Sequence, residues 1–128
     1  MQEYTQYVTK EIAEKLLNKG APLHHYGQQN FEPNVKVNSF CTKDGDMYHI
    51  YAIPTIEQVV EWFRREKYIS ICLRNCLLKT DFPYTYDLIY HWNYEDMNDE
   101  LPYRRDNPWF KTQKEAYFEA INKAIELI

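Results

Sequence analysis

Four histidines and three cysteines are the side chains best suited to metal or nucleophilic chemistry: His24, His25, His49, His91, Cys41, Cys72 and Cys76. Cys72 and Cys76 have the spacing of a ligand pair. In a strand, however, residues four apart are separated by about 13 Å at a rise of ~3.3 Å per residue. One zinc ion, which binds each thiolate at about 2.3 Å, cannot hold both. They read instead as small hydrophobes on the less buried face of a sheet. His24-His25 follow Pro22 in a stretch without periodicity, and no acidic or thiol partner lies at usable spacing. The pattern predicts solvated histidines, no metal site and no cofactor.

A second constellation is polar. Arg74, Asp87 and His91 fall on one face of two neighbouring strands. Asp87 and His91 are again about 13 Å apart, too far for one to orient the other as an acid–base pair. Arg74 lies between them in the neighbouring strand. Such a face offers a ligand or partner surface, and an enzyme acting on a small ligand there is one reading. The competing reading is a cross-strand ion pair on a solvated sheet. No Gly-x-Ser-x-Gly elbow is present for a nucleophile. Gly20, Gly27 and Gly45 are isolated, whereas phosphate-cradling loops need clustered glycines. Glu95, Asp96, Asp99 and Glu100 sit in a polar stretch, without the apolar setting that keeps one carboxyl of a catalytic pair protonated. No catalytic constellation emerges, and the chain reads as a non-enzyme.

The third constellation is aromatic and basic. Residues 103–111 interleave Tyr103, Arg104, Arg105 and Trp109, and Arg64, Arg65 and Lys67 form a smaller basic cluster. Aromatic rings stack on unpaired bases, so a single-stranded nucleic-acid-binding accessory protein is an alternative. The net charge of −4 and a pI near 5.5 oppose it, as do the four acids at 95–100. Trp109 and Phe110 are as well suited to anchoring the loop to a core. With 12 Tyr, 6 Phe and 3 Trp, the chain is rich in the residue types favoured at protein interfaces. A protein partner, or a second copy of the chain in a homodimer, is the reading these residues favour.

The elements that must position these groups follow from periodicity and caps. Thr9, Ile12, Ala13, Leu16 and Gly20 predict a helix over about 9–19, ended by a left-handed glycine and Pro22. Residues 21–34 read as a loop. Alternation predicts strands near 35–42 and 47–53, joined at Asp44-Gly45. Thr55 and Gln58 form a capping box before Ile56, Val59, Val60 and Phe63, which predicts a helix over about 55–67. Strands are expected at 68–78 and 84–92, a loop at 94–109, and a last helix from the Thr112/Glu115 cap onward. The fold class is α+β, in the order helix-hairpin-helix-hairpin-helix. A four-stranded, mainly antiparallel sheet is expected, with helices packed on one face. The topology hints at a duplicated strand-strand-helix unit. A length of 128 residues suits a single domain spanning 1–128.

No apolar run approaches the ~20 residues that span a bilayer. The N-terminal residues lack the apolar core of a signal peptide, and an odd number of cysteines suits reduced thiols. These features predict a cytoplasmic location and no membrane partner.

Three stretches carry a family likeness: YVTKEIAEKLLNKG at 7–20, IPTIEQVVEWFRREKYISI at 53–71 and KTQKEAYFEAINKAIELI at 111–128. Together the chain resembles small uncharacterised proteins carried by the genomes and mobile elements, including prophages, of gut anaerobic bacteria. The resemblance implies a cytoplasmic accessory protein of phage derivation. It supplies no assigned activity and no site residues, and residues 79–110 take no part in it. The expected function is a small cytoplasmic binding or interaction module.

Overall fold

The computed structural model describes residues 6–35, 37–76, 78, 81–90, 101–103 and 108–128. The chain divides into two compact units, Met1–Ile56 and Glu57–Ile128.

In the first unit, α1 (Lys10–Asn18) starts where the sequence places it. The Thr9 side chain accepts the N–H of Ile12 at 3.2 Å, satisfying one of the unpaired donors of the first turn. Gly20 ends the helix at φ +88°, a conformation that costs other residues a Cβ clash. Ile12, Ala13 and Leu16 form its buried face. The segment before α1 is held by Val8 N–H donating to the Pro54 carbonyl at 3.1 Å. Ile56 N–H donates in turn to the Gln6 carbonyl at 2.9 Å.

Three antiparallel strands follow: β1 (His25–Gln29), β2 (Ser39–Asp44) and β3 (Met47–Ala52), in the spatial order β1-β3-β2. Strand β1 lies in the stretch expected to be a loop. Its residues HYGQQ do not alternate, and its register slips between His25 and Gly27. It forms because β3 is central, so its backbone groups need partners on both sides. Strand β2 starts at Ser39 rather than 35. Asn38 takes φ +62°, which breaks an extended path, and Val35 and Val37 are exposed instead of paired. The β2–β3 turn is Gly45-Asp46, since Asp44 faces Met47; this is one residue later than expected.

In the second unit, α2 (Ile56–Glu66) buries Val59 and Phe63. Strands β4 (Ile69–Asn75), β5 (Tyr84–Tyr90) and β6 (Leu101–Tyr103) make an antiparallel sheet in the order β4-β5-β6. Helix α3 (Gln113–Glu126) is capped by Thr112, whose hydroxyl accepts the Glu115 N–H at 3.1 Å. It lies against β4 and β5 through Ala116, Ala120, Ile121, Ala124 and Ile125. Three small residues at helical spacing let its backbone approach the sheet closely. Ile69, Ile71, Tyr86 and Leu88 are buried, alternate residues of β4 and β5 that share one face of the sheet.

The α+β class holds, but the single four-stranded sheet does not. Each expected hairpin gains a third strand from a presumed loop, and the two hairpins belong to separate three-stranded sheets. The helix-hairpin-helix-hairpin-helix order is corrected accordingly. The added strands enter at different points of the chain, β1 before its hairpin and β6 after it, and in both sheets the second strand of the expected hairpin is central. Among the described residues, no helix is long and apolar enough to cross a membrane.

Candidate functional site

Antiparallel pairing sets Arg74 opposite Thr85 and Cys72 opposite Asp87, so Arg74 and Asp87 are diagonal neighbours. The Arg74 Nε donates to Asp87 Oδ2 at 2.7 Å, with Arg74 largely exposed and Asp87 more enclosed. The two groups predicted to share a face therefore neutralise one another across the sheet. Burial pushes the Cys72 thiol above its ordinary pKa, and the neighbouring Asp87 charge adds to the rise. A thiol held protonated is a poor nucleophile, so Cys72 is not an activated sulfur. Cys76 follows the end of β4 and donates its N–H to the Pro83 carbonyl at 2.8 Å.

His91, Arg104 and Arg105 lie outside the described residues. The Tyr103 backbone pairs with Leu88 in β6. Trp109 is half-buried, next to a two-way bridge in which Tyr84 and Phe110 exchange backbone hydrogen bonds at 3.1 and 2.6 Å. The Phe110 ring stacks on Tyr86, 6.4 Å between centroids. The end of the expected 94–109 loop is thus fastened to β5.

The first unit brings together residues that spacing kept apart. His25 Nε2 lies 3.2 Å from His49 Nδ1, across the β1–β3 ladder. Tyr51 packs its ring 4.9 Å from that of His25 and 6.3 Å from that of His49. The neighbouring His24 instead meets Tyr26 edge-on. This histidine pair was invisible while residues 21–34 read as a loop. The available signal was a strand of aromatic and β-branched residues at 47–52 that required a second partner.

The same unit holds a cleft of about 360 Å³, lined by Lys10, Glu32, Val35, Phe40, Lys43 and Tyr48 among others. The Lys43 ammonium sits over the Tyr48 ring, 5.5 Å from its centroid. On β1 and in the segment that leads to β2, large apolar side chains face solvent: Tyr26 is 61% exposed, Phe31 69%, Val35 44% and Val37 88%.

Compared with protein-family models, curated proteins and solved structures, the chain matches none of them.

Proposed function

We propose that the chain is a small cytoplasmic binding module that takes up an extended, apolar segment of a protein partner along β1 and the residues up to Val37. The observation that carries this reading is the exposure of Tyr26, Phe31, Val35 and Val37 within 12 residues of one unit. Burying such a side chain is worth roughly 1.5–3 kcal/mol, so four of them exposed in so short a stretch favour an interaction surface. Strand β1 is a sheet edge, so an added strand would find unshared backbone groups on its outer side. The other edge, β2, ends in Lys43-Asp44, charges that discourage strand addition.

The nucleic-acid and small-ligand readings draw less support. Asp87 already neutralises Arg74, and Trp109 is half-buried rather than displayed for stacking.

A photo-crosslinking residue at position 31, compared with one at Lys123 on the polar side of α3, tests the proposal in cells. Discrete adducts with one protein from position 31 alone support it. Equal adducts from both positions, or none from position 31, overturn it.

A further inference from the structure

We infer that His25 and His49 form a cross-strand clamp for a divalent transition metal of the zinc type. Two imidazole nitrogens each about 2.0–2.1 Å from a shared ion, and 3.2 Å from one another, subtend about 103° at that ion. That is close to the tetrahedral angle zinc adopts. Cis ligands of a square-planar copper ion, at about 2.0 Å, would sit only ~2.8 Å apart. The pair therefore has the separation of tetrahedral ligands before any ion arrives.

The surroundings hold that separation. His49 is on the central strand and half-buried, and the Tyr51 ring packs against both imidazoles. Ring packing of this sort fixes a ligand's orientation, as outer contacts do in established metal sites. The nitrogens are also complementary in the resting state, where one donates a hydrogen bond and the other accepts. Moving the donor's proton to its other ring nitrogen leaves a lone pair on each of the two facing nitrogens, free to bind an ion. No third His, Cys, Asp or Glu joins them among the described residues. Two positions on the ion are left to water, which makes the site exchangeable and open to an outside donor. An ion there would pin the start of β1 to β3 where the register slips.

The test titrates Zn²⁺ into the full ¹⁵N-labelled chain and follows the long-range ¹H–¹⁵N correlations of the imidazoles. The expected result is a saturable, one-to-one shift of His25 Nε2 and His49 Nδ1 together, with His24 unmoved. His25→Ala or His49→Ala should each weaken binding about tenfold or more, since even loss of a ligand's supporting contact costs that much. His24→Ala removes a histidine from the same strand region and should change affinity little. Co²⁺ in place of Zn²⁺ should give the visible bands of a nitrogen–oxygen site without thiolate charge transfer, which separates the clamp from the three cysteines. Unmoved His25 and His49 resonances, an equal effect of His24→Ala, or a thiolate spectrum would overturn the inference. The wild-type titration decides the matter even if a variant folds poorly.

Discussion

The Thr85 hydroxyl donates to the Pro108 carbonyl at 2.8 Å, joining the middle of the second sheet to the residues that precede α3. Thr85 is 1% exposed. It lies on the face of β5 opposite Tyr86 and Leu88, so both faces of that strand are covered at this point. Thr85→Val keeps the shape and removes the donor. Pro108 is exposed and its carbonyl can turn to water, so the loss should cost about 0.5–1.5 kcal/mol, the net worth of a neutral hydrogen bond. Urea unfolding should show a lower midpoint with an unchanged slope.

Tyr68 occupies φ +56° between α2 and β4, and its side chain is 57% exposed. A left-handed backbone costs a residue with a Cβ about 1–2 kcal/mol, and an exposed ring recovers little of that by packing. Tyr68→Gly should therefore raise the melting temperature, while Tyr68→Ala, which keeps the Cβ, should not.

The Arg74–Asp87 pair should contribute less than about 1 kcal/mol, because Arg74 is mostly solvated. Its larger effect is on Cys72. Asp87→Asn removes a negative charge that disfavours the thiolate, so the Cys72 pKa should fall and iodoacetamide should alkylate it faster at neutral pH. Burial persists in the variant, so the thiol should stay above its ordinary value. The linkage has the corresponding sign. A thiol pKa raised by folding stabilises the fold below the ordinary thiol value, and that contribution is lost as pH rises toward the folded one. Stability measured across this alkaline range should decline less steeply in Cys72→Ser.

Ala116, Ala120 and Ala124 are fully buried where α3 meets β4 and β5. Ala120→Leu forces extra methyl groups into that contact and should destabilise by about 1–3 kcal/mol. Ala→Ser at the same position changes volume less, and the two variants separated by thermal unfolding would show that close approach is the requirement.

Much of the fold was legible because its signals are local. Thr9 and Thr112 cap helices through bonds to the third residue onward, and Gly20 supplies the left-handed exit. Alternation in 69–75 and 84–90 identified Ile69, Ile71, Tyr86 and Leu88 as inward. The two added strands were not legible, since His25–Gln29 and Leu101–Tyr103 have little pattern of their own. They are strands because a neighbour needs hydrogen-bond partners, which is a tertiary demand. The site followed the same division. Arg74 and Asp87 came together because both lie on patterned strands, whereas the meeting of His25 with His49 depended on β1. Val35 and Val37 show the opposite error: alternation suggested a strand, but Asn38 turns the chain and leaves both exposed.

The central claim is that a protein partner binds over Phe31 and Val37. The direct measurement is the affinity of the partner crosslinked at position 31, purified and titrated against wild-type chain, the double variant Phe31→Ser with Val37→Ser, and Leu127→Ser. Loss of one buried apolar side chain is worth roughly 1.5–3 kcal/mol, so the double variant should bind at least about tenfold more weakly. Leu127→Ser, an exposed apolar position in the other unit, should bind like wild type. Equal affinity for wild type and the double variant would contradict the account.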